Sequence, residues 1–96
     1  MQGGFESAAM NHLALPRFWQ HYQSLPNDIQ ELADKSFELL RANPFHPSLH
    51  FKKVGRTRQL WSARVGMHHR ALAVENPEGI TWFWIGTHAE YDTILR

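Results

Sequence analysis

The chain has 96 residues, a formal net charge of +1, four tryptophans and no cysteine. Without cysteine, disulfide frameworks, thiolate zinc sites and cysteine nucleophiles are excluded, and no apolar run reaches the roughly 18 residues of a membrane span. We therefore expect a cytoplasmic protein that does not bind membranes, with one core. Residues 1–9 have no periodicity and Met10 is a candidate natural start, so we expect a disordered or non-native tail over 1–9 and a single domain over 10–96.

The first elements in chain order are a short strand and a helix. Residues 12–15 fit a strand. Pro16 suits the first turn of a helix, because its missing N–H would be unpaired there in any case. This helix should end near Ser24, since Pro26 cannot continue the helical hydrogen bonds.

A second, longer helix follows directly. Residues 29–40 place apolar side chains at the i, i+3, i+4 and i+7 positions of one helical face. Asn27 followed by Gln30 resembles a capping box at its start. The helix should stop before Pro44, because a residue that precedes proline disfavours the helical conformation.

The C-terminal half has the period of strands. Candidate strands joined by tight turns cover residues 49–54, 60–65, 69–75 and 80–86. Trp82 and Trp84 occupy alternate positions of the last strand, so we expect both on one packed face. The whole order predicts an α+β domain, in which an antiparallel-rich sheet of four to five strands packs against an N-terminal helical hairpin.

Basic residues are concentrated in a window without acidic residues, from 39 to 74. This window contains Arg41, Lys52, Lys53, Arg56, Arg58, Arg64 and Arg70, with His46, His50, His68 and His69. Phosphates are bound by Arg and Lys, and proton transfer near pH 7 suits imidazole. The pattern therefore favours an enzyme or binder of polyanions.

Three patches carry candidate chemistry. They are residues 43–53 with His46, His50, Lys52 and Lys53, residues 60–74 with Arg64, His68, His69 and Arg70, and residues 86–92 with His88 and Tyr91. Such groups can cleave RNA without a metal. A base removes the 2′-hydroxyl proton, an acid protonates the leaving 5′-oxygen and arginine stabilises the phosphorane charge.

Each patch also has an ordinary structural interpretation. The loop histidines suit surface or capping roles, and the lysines and arginines of residues 52–58 suit a solvated turn. His88 suits a hydrogen bond at a helix N-terminus. No HExxH or Cys/His spacing is present, so we expect neither a metal site nor a cofactor.

Three segments together carry a family resemblance: NPFHPSLHFKK, LWSARVGMHHRALAV and WFWIGTHAEYDTIL. They resemble the RelE/ParE superfamily of toxins from bacterial type II toxin–antitoxin systems, over about residues 13–95. The resemblance implies an antiparallel sheet packed on a helical hairpin, and a cognate antitoxin that covers part of the basic face. Members similar to RelE, YoeB and YafQ cut mRNA on the ribosome, whereas members similar to ParE poison DNA gyrase.

The resemblance also implies site residues. Arg70 matches an arginine that nuclease members carry after the turn, and His88 matches the terminal histidine of the YafQ-like group. Tyr91 lies near an aromatic position of those enzymes. His50 and His46 occupy the region of a further acid or base, although several relatives have glutamate or lysine there.

These matches give a catalytic set and a substrate-binding set. The expected catalytic residues are Arg64, Arg70, His50, His88 and Tyr91, and the expected substrate-binding residues are Lys52, Lys53, Arg56, Arg58, His46, His68 and His69. The favoured function is a ribosome-dependent mRNA endoribonuclease without metal or cofactor. A gyrase inhibitor and an inactive antitoxin-binding relative are the alternatives, and a homodimer is left open.

Overall fold

A computed structural model describes residues 11–56 and 59–96. The predicted tail over 1–9 and the predicted binding residue Arg58 lie outside these ranges. The helices are α1 (Pro16–Gln23), α2 (Asn27–Ala42) and α3 (His88–Leu95), and the strands are β1 (His12–Ala14), β2 (Lys52–Lys53), β3 (Leu60–Val65), β4 (His69–Asn76) and β5 (Gly79–Thr87). No helix in the described ranges is long and apolar enough to cross a membrane.

The strands form one sheet in the order β1-β5-β4-β3-β2. β1 runs parallel to β5, and the other neighbours are antiparallel. The predicted fold class is confirmed, with five strands and an N-terminal helical hairpin formed by α1 and α2.

The hairpin packs on one side of the sheet, which we call the hairpin face. Its core side chains are Ala33, Leu40, Leu49, Phe51, Trp61, Ala63, Val65, Ala71, Ala73, Ile80, Trp82 and Ile85. Phe18 and Tyr22 of α1 pack against the edge of this cluster. Phe51 stacks on Trp61 with ring centroids 4.5 Å apart, so the segment before β2 is fixed by aromatic packing.

A bulge in β5 separates the two tryptophans that were expected on one face. Trp82 lies opposite Ala73 and Trp84 lies opposite Leu72, so Phe83 is the extra residue. Ala73 and Leu72 are consecutive in β4 and point to opposite faces. The prediction of a shared face was therefore wrong: Trp82 is on the hairpin face, and Trp84 is buried on the other side.

The start of α2 differs from the predicted capping box. Pro26 is the N-cap and has no side-chain cap, so Asn27 is already helical, and Asp28 Oδ1 accepts from the Ile29 backbone N–H at 3.0 Å. Gln30 instead donates from Nε2 to the backbone oxygens of Tyr22 (3.2 Å) and Leu25 (3.1 Å). Gln30 therefore fixes the angle between the two helices rather than closing the end of one.

Most of residues 49–54, which were predicted to form a strand, do not form one. Pro47–Leu49 form a 3₁₀ turn, in which the His46 ring accepts a hydrogen bond from the Ser48 backbone N–H. His50 follows in the left-handed conformation, with φ 46° and ψ 43°. This residue interrupts the extended backbone, so that only Lys52 and Lys53 pair with β3.

The periodicity analysis predicted no helix after β5, yet α3 begins there. A capping box starts it: Thr87 Oγ1 accepts from the Glu90 backbone N–H, and Glu90 Oε1 accepts from the Thr87 backbone N–H. These hydrogen bonds from Thr87 lower the pKa of Glu90. Gly86 is required beside the box, since a Cβ there would lie 2.7 Å from Glu90 Oε1 and 2.5 Å from Trp84.

Candidate functional site

Two arginines lie side by side on the sheet face opposite the hairpin. Arg64 of β3 pairs directly with Arg70 of β4, which places their Cα atoms roughly 5 Å apart. Since neighbours in a strand alternate, both side chains point away from the core residues Val65 and Ala71. We call this surface, with the residues that contact the two arginines, the arginine face.

His50 contacts the first arginine. Its Nε2 atom lies 3.4 Å from Arg64 Nη1, while Arg64 Nε donates to the backbone oxygen of Gly66 at 3.1 Å. A guanidinium has only donors, so this contact is a hydrogen bond in the tautomer whose Nε2 is the acceptor. The left-handed backbone at His50 is costly for a residue with a Cβ. The loop thus holds a strained backbone where the imidazole reaches Arg64.

Tyr91 of α3 contacts the second arginine. The guanidinium carbon of Arg70 lies 5.8 Å from the centre of the Tyr91 ring, and Arg70 Nη1 donates to the His69 backbone oxygen at 3.0 Å. The ring face attracts the cation, and the carbonyl orients it. Arg70 is therefore positioned by groups that leave part of its donor set free for a ligand.

His88 is the first residue of α3 and lies beside Tyr91. The two rings are stacked, with centroids 5.9 Å apart and an interplanar angle of 23°. Its backbone N–H donates to the His68 backbone oxygen at 2.8 Å, which ties α3 to the β3–β4 turn. His88 Nδ1 lies 3.6 Å from Asp92 Oδ2, and half of its side chain is exposed.

Four of the five predicted catalytic residues thus belong to the arginine face: Arg64, Arg70, His50 and Tyr91. The fifth, His88, contacts neither arginine and lies next to this face, stacked on Tyr91. Lys52 pairs with Ser62, so its side chain points to this same face.

Other predicted binding residues are placed elsewhere. Lys53 pairs with Trp61 on the hairpin face, where its Nζ lies 5.6 Å from that ring and 3.6 Å from Glu75 Oε1. His46 holds the 3₁₀ turn through its Nδ1. Arg56 is exposed in a bend, close to the edge strand β2.

The neighbouring histidines of the β3–β4 hairpin differ from each other. His68 is exposed in the turn. His69 pairs with Val65 and Thr87, which directs it to the hairpin face. Burial lowers the pKa of His69, and the nearby His68 lowers it further. Neither imidazole joins the arginine face, although both were expected beside the substrate.

An apolar cleft on the hairpin side was not anticipated from the sequence. It has a volume of about 350 Å³ between α1, α2 and the sheet, and Trp19 (47% exposed) and Phe37 (37% exposed) are among its lining residues. His12 also lines it and accepts a hydrogen bond from Trp82 Nε1 at 3.1 Å. Burial and the charge of Arg41 lower the pKa of His12. The sequence signal for it is the set of large apolar side chains that the short helix α1 carries, Phe18, Trp19 and Tyr22.

No group of three metal-ligating side chains occurs within residues 11–56 and 59–96. The functional side chains at or next to the arginine face are two guanidiniums, one ammonium, two imidazoles and one phenol.

Comparison with known proteins agrees with this architecture. The family model of the ParE-like toxin domain matches residues 27–93. Comparison with the curated proteins gives no match.

Several toxin structures share the fold at low sequence identity. RelE in the RelB-RelE antitoxin-toxin complex from Methanococcus jannaschii is similar over 88% of this chain and 99% of that chain, with 16% identity and a TM-score of 0.69. YafQ from E. coli is similar over 85% of this chain and 97% of that chain, with 11% identity and a TM-score of 0.68. A chain of the archaeal RelE-RelB complex from Pyrococcus horikoshii is similar over 82% of this chain and 94% of that chain, with 18% identity and a TM-score of 0.64. Since the matched family model spans well over half of the sequence, the chain belongs to the ParE-like toxin family.

Proposed function

We propose that this protein is the toxin of a type II toxin–antitoxin system and acts as an mRNA endoribonuclease that needs no metal. Family membership supports the toxin assignment. The fold similarity to RelE, YoeB and YafQ favours the ribonuclease branch over other activities. We expect it to act in the cytoplasm on mRNA bound to the ribosome.

One observation carries the nuclease proposal. Arg64 and Arg70 are paired near the β3–β4 turn, His50 contacts Arg64, and Tyr91, which stacks on His88, contacts Arg70. We place the phosphodiester between the two guanidiniums, with His50 on the Arg64 side and His88, beyond Tyr91, on the Arg70 side. In-line cleavage of RNA needs a base and an acid on opposite sides of phosphorus, so this arrangement fits that chemistry.

The cleavage step follows from these positions. When Arg64 binds the phosphate it leaves His50 Nε2, and the lone pair of that nitrogen takes the proton of the 2′-hydroxyl. The 2′-oxygen then bonds to phosphorus, and the bond from phosphorus to the 5′-oxygen breaks. His88 gives its proton to that leaving oxygen, which leaves a 2′,3′-cyclic phosphate and a 5′-hydroxyl. Arg64 and Arg70 stabilise the extra negative charge on the phosphorane.

Tyr91 and Lys52 complete the substrate contacts in this proposal. Tyr91 holds Arg70 through its ring face and orients or stacks on the substrate at the edge of the site. Lys52, on the same face, binds a neighbouring phosphate. Both contacts are to features present in any RNA, so the codon preference is expected to come from the ribosome.

A cognate antitoxin is the expected protein partner. Solved relatives are complexes of RelE with RelB and of YoeB with YefM. An acidic or amphipathic antitoxin segment that covers the arginine face would neutralise its cations and exclude RNA.

The test is primer extension on a reporter mRNA after brief induction of the wild-type protein and of the His88→Ala, Arg70→Ala double variant. Matched controls are His21→Ala and Arg41→Ala, which remove the same residue types from α1 and α2. Circular dichroism establishes that each variant is folded. We expect cuts at defined codon positions with the wild type and both controls, and none with the double variant.

A second function is tested in the same cells, because the matched family model is that of ParE-like toxins. Intact mRNA with DNA breaks and an SOS response would replace the nuclease by a gyrase inhibitor. Intact mRNA with normal growth would indicate an inactive relative that binds only an antitoxin.

A further inference from the structure

The carboxylate nearest to His88 comes from its own helix. Asp92 lies four residues after His88 in α3, and its Oδ2 atom is 3.6 Å from His88 Nδ1. Residues four apart in a helix share a face. We propose that Asp92 is a positioning residue that selects which nitrogen of His88 faces the substrate, an inference that rests on the proposed function.

The His88 ring is held by other contacts while Asp92 acts on one nitrogen. Tyr91 stacks on it, with ring centroids 5.9 Å apart. The His88 backbone N–H is bonded to His68, and the capping box of Thr87 and Glu90 starts the helix immediately before it. The backbone and the ring plane are therefore restrained, so the contact with Asp92 decides the state of Nδ1.

The chemistry of the pair follows from the bonding capacity of each group. An ionised carboxylate only accepts hydrogen bonds, so it favours a proton on the nitrogen that faces it. Pairing with Asp92 therefore favours a proton on Nδ1 in both states of the ring. The imidazolium then donates its Nε2 proton to the leaving oxygen, and the neutral ring that remains carries its proton on Nδ1. This is the general role of a carboxylate beside a catalytic imidazole.

A role in stability alone is a poor explanation of this contact. The side chains of His88 and Asp92 are 49% and 56% exposed. Exposed pairs of this kind contribute little to folding and are screened by salt. The inference therefore predicts that Asp92 variants keep the fold and change the state and the activity of His88.

The experiment uses three variants of the full chain. Asp92→Ala removes the acceptor, Asp92→Asn keeps an acceptor oxygen without its charge, and Asp92→Glu restores a carboxylate. Glu31→Gln on the exposed surface of α2 is the matched control. Nitrogen-15 NMR of the histidine rings reads the tautomer of His88, and single-turnover cleavage of mRNA on programmed ribosomes gives the rate and the half-saturating protein concentration.

We expect His88 to carry its proton on Nδ1 in the wild type and mainly on Nε2 in Asp92→Ala. The cleavage rate of Asp92→Ala should fall about tenfold with an unchanged half-saturating concentration, less than the roughly 10⁴-fold loss in a buried serine-protease triad, because this pair is exposed. Asp92→Asn should retain the wild-type tautomer, and Asp92→Glu should recover most of the rate. An unchanged tautomer or an unchanged rate in Asp92→Ala would overturn the inference.

The NMR measurement separates this inference from the proposed function. If the wild-type protein cuts no RNA, the nuclease proposal fails. A tautomer change confined to Asp92→Ala would then still establish that Asp92 orients His88. If His88 has the same tautomer in the wild type and in Asp92→Ala, the inference fails as well.

Discussion

The two faces of the sheet use the same strands for opposite purposes. On the hairpin face, side chains such as Ala73 and Ile80 are fully buried under α1 and α2. On the arginine face, the same strands present Arg64 and Arg70 to a partly open surface, held by a ring and by backbone carbonyls. Because alternate residues of one strand serve the two faces, substitutions one position apart should have different consequences. Stability should depend on the hairpin face and on the buried Leu72 and Trp84 of the other face, whereas activity should depend on the partly exposed arginines.

The largest effect is expected from the hairpin face. Trp82→Ala removes a buried indole that is part of the core, and we expect a loss of about 3–5 kcal/mol in the free energy of unfolding. Urea denaturation followed by tryptophan fluorescence measures it. Trp19→Ala is the matched control, since that indole is 47% exposed and should cost far less. Equal losses in both variants would show that the two indoles are packed alike.

The arginine face should respond in activity instead. Arg64→Ala removes a transition-state cation and the contact to His50, so we expect cleavage to fall about 100-fold or more. The free energy of unfolding should fall by only about 1 kcal/mol, since the hydrogen bond to Gly66 and a long, exposed contact to His50 are lost. Cleavage kinetics and urea denaturation on the same preparations give both values, with Arg41→Ala as the control. A stability loss comparable to that of Trp82→Ala would contradict the division between the faces.

The extent of what the sequence predicts also differs between the two faces. α2 and the strands β3 and β4 were predicted well, because their apolar periods are long and their turns are short. The same short turn made the pairing of Arg64 with Arg70 foreseeable. By contrast, the bulge at Phe83 arises from sheet register, which a run of apolar residues on both faces cannot reveal. The alternation of Trp82 and Trp84 therefore led to the wrong face for Trp84.

Local chemistry that periodicity ignores explains the other differences. The Thr87–Glu90 spacing was a readable capping box, yet it follows an apolar strand directly and was interpreted as the end of that strand. The left-handed His50 could not be foreseen: histidine is enriched among non-glycine residues with positive φ, but only a few per cent of non-glycine residues adopt it. Its position beside Arg64 depends on that backbone.

The conformation of His50 gives a prediction in which stability and activity move in opposite directions. His50→Gly places the residue best suited to a φ of 46° in that position, and we expect the free energy of unfolding to rise by up to about 1 kcal/mol. Cleavage should fall, because the base is lost. Gly66→Ala is the reverse control: its φ is 61° and its new Cβ would lie 3.0 Å from Leu32, so it should destabilise. Destabilisation by His50→Gly would mean that the ring contacts, and not the backbone, determine the loop.

The smallest effect should be a pH dependence that comes from the hairpin face. Burial lowers the pKa of His12 in the folded state, so between its folded and unfolded values the unfolded chain binds more protons. The stabilisation is present above the unfolded value of about 6.5 and is lost as the pH falls toward the lowered value. Protonation also removes the acceptor that Trp82 Nε1 uses on His12.

His69 on the same face has a lowered pKa and contributes in the same direction, so the two histidines must be separated. Urea denaturation of the wild type, His12→Asn and His69→Asn between pH 7.5 and about 5 does this. In each variant the free energy of unfolding should depend less steeply on pH than in the wild type. The reduction in this slope should be larger in His12→Asn, because the His12 ring is more deeply buried and is hydrogen-bonded to the core. An undiminished slope in His12→Asn would assign the whole pH response to His69, at the edge of this face near the β3–β4 turn.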